Sequence, residues 1–372
     1  MPRRPGARRS SRPRAGNSGA RTGQSDAVGI RTSDPAVPST TGPSTCPRTE
    51  AGNRVPEFDL IARIKARSAT RDDVMLGIGD DAALLRVPPG HWLAVATDTL
   101  NADVHFPAGT AATDIGWKAL AVNLSDLAAM GARPAWATLS LSLPHADDAW
   151  VDAFLDGFLA LADSHGVTLV GGDTTRGPLS ICVTVHGLVA AGHGLRRADA
   201  RAGDDIWVTG TLGDAAAALA QWRAGGAAEP ALRARLDRPT PRVALGLSLQ
   251  GIAHAAIDLS DGLLADIGHV CVASQVGAEI ELQALPASPA LAAHFDAAAR
   301  AGLQAGGGDD YELCFTAPAS RRDAIAALAH AHALALTRVG RVLDGDGVRA
   351  LHADGSQWQP ARAGYAHFDP TA

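Results

Sequence analysis

The chain has 372 residues, a formal net charge of −6 and a hydrophobic content of 46%, enough for two domain-sized cores. The negative balance and an aromatic content of 4% exclude nucleic-acid binding by overall charge or by base stacking for the core of the protein. No apolar run reaches the ~18 residues of a membrane-spanning helix, so no membrane association is expected. The four cysteines form no Cys-x-x-Cys pair, as expected of reduced thiols in the cytoplasm.

Residues 1–54 carry ten arginines against Asp26, Asp34 and Glu50 and almost no large apolar residue. Such a basic segment cannot bury enough apolar area to order itself, so a disordered tail is expected there. It lacks the apolar stretch of a secretory signal. Regular patterning starts after Pro56. Phe58, Leu60, Ile61 and Ile64 predict a helix over 57–66, and Val74, Leu76 and Ile78 alternate as in a strand. Pro88-Pro89-Gly90 between two apolar runs, 84–87 and 92–97, predicts a hairpin. Helical periodicity runs from Thr110 to Met130 and stops at Gly131. A strand follows over 135–143, then a helix capped by Asp147 that ends near Gly166. Strands over 167–170 and 180–188 complete a first domain, 55–192. A stretch rich in Gly, Arg and Ala then leads into a second α/β domain, 193–372. Its expected strands are 206–209, 255–257, 278–282 and 311–316. Its helices start at Asp214, Val243, Gly262 and Asp323.

Six apolar segments run into aspartate. They end in Gly79-Asp80-Asp81, Thr97-Asp98, Ser125-Asp126, Gly172-Asp173, Asp258-Leu259-Ser260-Asp261 and Gly308-Asp309-Asp310. Each has an ordinary structural reading. Asp80-Asp81 suits a turn, Asp98 a strand end, and Ser260 or Asp261 a helix N-cap. Gly171-Gly172-Asp173 suits a bulged turn, 306–310 a flexible loop, and His105 a hydrogen-bonded loop filler. Asp126 is the least ordinary, because its helix is apolar on most sides and a buried carboxylate needs a partner. Carboxylates brought together raise one another's pKa and call for hard divalent cations with oxygen ligands. Glycine turns that let backbone N–H groups approach an anion point further to phosphate chemistry. The chain has no Gly-x-x-x-x-Gly-Lys-[Ser/Thr] loop and no protein-kinase motif set, which excludes those two nucleotide-binding classes.

From Glu57 to Phe368 these motifs, in this order, resemble thiamine-monophosphate kinases. The resemblance rests on 77–82, Thr97-Asp98-Thr99-Leu100, His105-Phe106, 118–132, 171–178, 258–263, 310–313 and Gly364-Tyr365. It implies the two-domain fold of the aminoimidazole ribonucleotide synthetase-like superfamily, an α/β (α+β) architecture. Its N-terminal mixed sheet with helices forms a dimer interface, and an α/β domain follows. It implies transfer of the γ-phosphoryl group of ATP to thiamine monophosphate, the last step of thiamine diphosphate synthesis, by a cytoplasmic homodimer using several Mg²⁺ ions. Carried over by motif, Asp81, Thr97, Asp98, Asp126, Asp173, Asp258 and Asp261 would hold magnesium. Gly172, Asp173, Arg197 and Ser260 would contact ATP, and His105, Asp309 and Tyr365 the thiamine substrate. No residue is assigned as general base. Where Asp309 stands the family usually has Glu, one methylene longer.

Two rival readings bear on the same motifs. A superfamily enzyme that activates a selenium compound wants a reactive Cys in a glycine-rich N-terminal segment, and this tail offers only Cys46 amid Pro and Thr. A non-catalytic nucleotide-binding regulator would have lost carboxylates that are retained here.

Overall fold

The computed structural model describes residues 57–360 and 364–365, all within the unit Asn53–Ala372. The basic stretch 1–54 lies outside the described residues. The first half contains α1 (Glu57–Arg67), β1 (Val74–Leu76), β2 (Leu84–Leu85), β3 (His91–Asn101), α2 (Ala112–Ala129), β4 (Arg133–Leu143), α3 (Asp148–Ser164), β5 (Thr168–Arg176) and β6 (Ser180–Ala190). β3 to β6 form a mixed sheet in the order β3-β6-β4-β5, in which only β4 and β5 are parallel. The second half contains β7 (Asp204–Thr209), α4 (Asp214–Arg223), α5 (Pro230–Asp237), α6 (Val243–Ser248), β8 (Ala255–Asp258), α7 (Leu263–Ser274) and β9 (Gly277–Glu281). It ends with α8 (Pro289–His294), α9 (Ala297–Gly306), β10 (Leu313–Pro318), α10 (Arg322–Ala331), β11 (Leu336–Leu343), β12 (Val348–Leu351) and β13 (Gln357–Trp358). Its strands join one sheet in the order β13-β12-β9-β11-β7-β10-β8. No described helix is long and apolar enough to cross a membrane.

Strand alternation decides what each face of the four-stranded sheet meets. Along β3, Ala94, Ala96 and Leu100 turn inward and pack with the core, whereas Leu93, Val95, Thr97 and Thr99 face out. The inward face is covered by α2, and α2 packs on α3. The two helices cross where both lack a side chain. A Cβ on Gly116 would lie 2.0 Å from the Phe154 carbonyl oxygen, and one on Gly157 would lie 1.8 Å from that of Thr113. Contacts this close fix the crossing point. On its other side α2 meets α6 and β8 of the second half. It is therefore the shared wall of the core and carries a continuous set of buried residues.

Several sequence expectations change. The 84–87 and 92–97 runs do not form a hairpin. β2 pairs with β1, and β3 pairs with β6 along all eleven of its residues, from His91 opposite Ala190 to Asn101 opposite Ser180. Tight hairpins need positive φ at central turn positions, and proline fixes φ negative, so Pro88-Pro89 opposes such a turn. β5 does not end at Val170 but continues to Arg176, with a register shift against β4 at Ala137/Thr138. Asp98 lies inside β3, not at its end. α5, α8 and α9 were not expected from periodicity, because they are short. Their start signals were present: Glu229, Ser288 and Asp296 each accept a first-turn N–H, from Leu232, Leu291 and Ala299. Proline opens α5 and α8.

Candidate active site

Asp98, Asp126 and Asp258 come from β3, α2 and the end of β8. The Asp98 N–H donates to Asn123 Oδ1 (3.0 Å). Asn123 is fully buried and anchors itself by donating to the Ala119 carbonyl (3.0 Å). This link fixes α2 against β3, and Asp126 follows one helical turn after Asn123. Burial raises the Asp98 pKa. Asp126 is pushed up to about 8, first by burial and then by the Asp258 and Asp98 carboxylates, with Arg197 opposing. Asp258 is pushed up to about 6 by burial and by Asp98, against the opposing influences of Ser125 and Arg197. The Ser125 hydroxyl lies beside Asp258 but is buried without a well-formed hydrogen bond. Arg197 comes from the short 3₁₀ turn Arg197–Asp199, which is tied to β8 by the Ala256 N–H donating to the Arg196 carbonyl (3.2 Å).

Asp261 adjoins this group at the start of α7. Neither Ser260 nor Asp261 caps the helix as expected. Asp266, in the first turn, reaches back instead, and its Oδ2 accepts from the N–H groups of Asp261 (3.1 Å) and Gly262 (3.0 Å). Burial and the nearby Asp258 and Asp261 push the Asp266 carboxyl up to about 8. Ligand atoms of Asp261, Asp266 and His269 all lie within 4.8 Å of one another.

A second group lies around the 309–311 segment. The Asp309 N–H donates to the Ser260 carbonyl (2.9 Å), and the Tyr311 N–H to that of Leu259 (2.8 Å). The Tyr365 N–H donates to the Asp261 carbonyl (3.0 Å). Asp309 and Tyr311 both have left-handed backbones, with φ of 68° and 48°, a conformation that is uncommon for non-glycine residues and carries some strain. Lys118 Nζ lies 3.1 Å from Asp309 Oδ1 and donates to the His105 carbonyl (2.9 Å). The His105 Nδ1 accepts from the Asn101 N–H (3.0 Å), so the neutral ring carries its proton on Nε2. The Tyr311 hydroxyl donates to Asp309 Oδ1 (3.1 Å). The Tyr311 pKa is raised by burial and then by the negative charges of Asp309, Asp98 and Asp258.

The structure thus brings together Asp98, Asp126, Asp258 and Arg197, with Asp261, Ser260, Asp309 and Tyr365 alongside through backbone bonds and His105 through Lys118. It does not bring the others into this group. Asp81 is exposed, and its N–H turns back to Asp80 Oδ1 (2.9 Å). Thr97 lies on the outward face of β3, where its hydroxyl donates to the Val183 carbonyl (3.1 Å). Asp173 aligns across the sheet with Ser140, Cys182 and Thr99, so alternation puts it on the same outward face, opposite Asp98. Gly172 sits beneath the β4 backbone, where a Cβ would fall 1.8 Å from the Leu139 carbonyl oxygen.

Sequence reasoning overlooked Lys118, Tyr311 and Asp266. Lys118 did carry a signal: it is one of two lysines in the chain, and it interrupts an apolar helix. The inner carboxylates offer only hard oxygen donors, joined by the unpartnered Ser125 hydroxyl. That donor set fits a hard divalent cation rather than a soft metal.

Residues 79–189 match the family model of the AIR synthase related protein N-terminal domain, and 201–352 match that of its C-terminal domain. The thiamine-monophosphate kinase of Salmonella typhimurium is 47% identical over 319 residues, covering 84% of this chain and 98% of that protein. The crystal structure of the thiamine-monophosphate kinase from Stenotrophomonas maltophilia is 56% identical, with a TM-score of 0.76, covering 82% of this chain and 98% of that one. A structure of AaThiL complexed with AMPPCP and TMP is 33% identical, with a TM-score of 0.66, over 83% of this chain and 97% of that one.

Proposed function

The chain belongs to the thiamine-monophosphate kinase family, and we propose on that footing that it transfers the γ-phosphoryl group of ATP to thiamine monophosphate, giving thiamine diphosphate and ADP. The observation that carries this reading is the group of the half-buried Asp98 and Asp126 and the buried Asp258 with Arg197, beside the His105–Lys118–Asp309 group. One group suits a polyphosphate with its cations and the other an organic acceptor. Asp98, Asp126, Asp258 and Asp261 would hold Mg²⁺, with Asp81, Thr97 and Asp173 completing the set. When bound, the cations neutralise the triphosphate and the acceptor phosphate, which otherwise repel each other.

Gly172, Asp173, Arg197 and Ser260 contact ATP in this reading, and His105, Asp309 and Tyr365 hold the thiamine part. The nucleophile is an oxygen of the substrate's own phosphate, already an anion, so no residue has to remove a proton. It attacks the γ-phosphorus in line as the bond to the β–γ bridging oxygen breaks, and ADP departs with that oxygen. The protein's own contribution is alignment and a fixed electrostatic environment. The domains 55–192 and 193–372 divide the work: the first supplies the Asp98–Asp126 wall and the second supplies Asp258–Asp261 and the acceptor loop. The reaction belongs in the cytoplasm, in keeping with free thiols at Cys182, Cys271 and Cys314.

The working unit is a homodimer formed through the outward face of the four-stranded sheet. On that face Leu93 is 44% exposed and Val95 57%, large apolar side chains of the kind that mark an interface. β3 and β5 are the unpaired edges of that sheet. Joining β3 of one copy to β5 of the other closes both edges and brings the partner subunit's Asp173 to the face that carries Thr97.

The test is incubation of the purified protein with Mg²⁺, ATP and thiamine monophosphate, with products separated by chromatography. Thiamine diphosphate and ADP in equal amounts are expected. ADP release that ignores thiamine monophosphate overturns the reading. After exposure to labelled ATP alone, label that stays covalently on the protein through an unlabelled chase overturns direct transfer.

A further inference from the structure

We propose that Lys118 and Tyr311 are positioning residues that lock Asp309 by one oxygen, so that only its Oδ2 remains to accept a hydrogen bond from the acceptor substrate. The proposal rests on the reading of thiamine monophosphate as the acceptor.

Lys118 is 2% exposed and sits on the apolar helix α2. Burying an ammonium is costly, and a leucine or methionine would fill the same space without that cost. What the ammonium does there is specific. It lies 3.1 Å from Asp309 Oδ1 and donates to the His105 carbonyl at 2.9 Å. One buried cation therefore joins the loop after β3 to the loop before β10, the two segments that carry the proposed substrate contacts. The Tyr311 hydroxyl takes the same oxygen at 3.1 Å. With two donors on Oδ1, the carboxylate is fixed in rotation, and among the described residues no donor is seen on Oδ2. The left-handed backbones of Asp309 and Tyr311 are the local strain this arrangement holds in place. The shorter Asp309 side chain has less freedom than a glutamate, so two donors suffice to aim it. His105 is positioned by the same ammonium through its carbonyl, and its ring is oriented by the Asn101 N–H.

The experiment is steady-state kinetics on Lys118→Met, Lys118→Arg and Tyr311→Phe, varying thiamine monophosphate and ATP separately, with thermal unfolding of each variant. In Lys118→Met the KM for thiamine monophosphate should rise about tenfold or more, the effect of one lost charged hydrogen bond. The KM for ATP and kcat should stay within about threefold of wild type. Lys118→Arg should recover part of the loss, because it restores a cation. Tyr311→Phe should raise the same KM about threefold, as for one neutral hydrogen bond. A merely structural role would lower stability and move both KM values together. An unchanged KM for thiamine monophosphate in Lys118→Met or in Tyr311→Phe overturns the proposal. Should Lys118→Met fail to fold, Tyr311→Phe decides alone. A wild-type protein that ignores thiamine monophosphate overturns the function itself, whereas an active wild type with unaffected variants overturns only the positioning.

Discussion

Asp126→Asn should make the metal-free protein more stable while abolishing most of its activity. The Asp126 carboxyl stands at about 8 in the fold, against an ordinary value of 3.8. Between those values the folded protein keeps a proton that the unfolded chain has released. Stability therefore falls as pH rises through this window, by at most about 1.4 kcal/mol per pH unit for the one group. The ceiling at pH 7.5 is about 5 kcal/mol, and sharing of charge with Asp98 and Asp258 brings it to roughly 2–3 kcal/mol. Asparagine keeps the shape and cannot ionise, so the substitution removes this cost. At about 2 °C per kcal/mol for a chain of this size, the variant should melt roughly 5 °C higher in EDTA at pH 7.5. The gap should shrink toward pH 5, where the wild-type carboxyl is protonated in the fold and less of the unfolded-state advantage remains. kcat should meanwhile fall by about a hundredfold or more, as for a lost electrostatic contact in the transition state. Melting scans at several pH values in EDTA, paired with turnover assays, test both halves. An asparagine variant that is less stable than wild type at pH 7.5, or a gap that does not narrow with falling pH, refutes the argument.

Because Asp126 and Asp258, at about 8 and about 6, must lose protons to bind a cation, Mg²⁺ affinity should rise by up to about tenfold per pH unit between pH 6 and 8. Calorimetry in buffers of different ionisation enthalpy should show the released protons, and pH-independent binding would contradict the cluster as its site. Glu312→Gln should lower stability by roughly 3–5 kcal/mol, read as a fall in Tm, because the fully buried carboxylate holds Arg235 (2.7 Å) and Arg242 (2.6 Å). Gly157→Ala should cost about 3 kcal/mol or more by forcing α2 and α3 apart, since its Cβ would meet the Thr113 carbonyl oxygen at 1.8 Å; near-native melting would show that the crossing can relax. Mixing the inactive variants Asp173→Asn and Asp126→Asn should restore part of the activity, because a mixed dimer holds one site with both residues intact when Asp173 serves the partner. No recovery would place both residues in the site of one chain.

The long helices were legible in the sequence because their apolar period is unbroken. α2 and α3 lie within two residues of expectation, and the Asp147 cap makes the predicted bond, accepting from the Trp150 N–H. The motif resemblance carried the fold, which the family models and solved relatives support. What was not legible depends on long-range choices. The β2–β3 hairpin looked sound locally, yet an eleven-residue ladder with β6, almost a hundred positions away, outcompetes it. Alternation within β3 separates Thr97 from Asp98, though the motif reads them as one unit. Lys118 was quoted inside a motif but had no partner in view until the chain folded Asp309 onto it from a position nearly two hundred residues later. The Asp266 back-cap was hidden for a different reason: Ser260 and Asp261 offered a more conventional cap nearer the helix start.

One element sets the distance between the two proposed parts of the site. α2 carries Lys118 toward the acceptor loop and Asp126 toward the carboxylates. Eight residues of helix separate them, a rise of about 12 Å. Between them, Asn123 pins the helix to β3 at the Asp98 N–H, and Ser125 lies against Asp258. A rigid, enclosed helix cannot lengthen or twist independently at its two ends. A substrate held by its organic part near Lys118 therefore presents its phosphate at a fixed place relative to the carboxylates. Phosphoryl transfer depends on such alignment more than on any proton-removing group. This explains why the middle and end of a helix with so many buried positions keep the polar side chains Lys118, Asn123, Ser125 and Asp126. Lys118 and Asn123 are costly to bury alone, and each has its counterpart on a different segment, Asp309 and the Asp98 N–H.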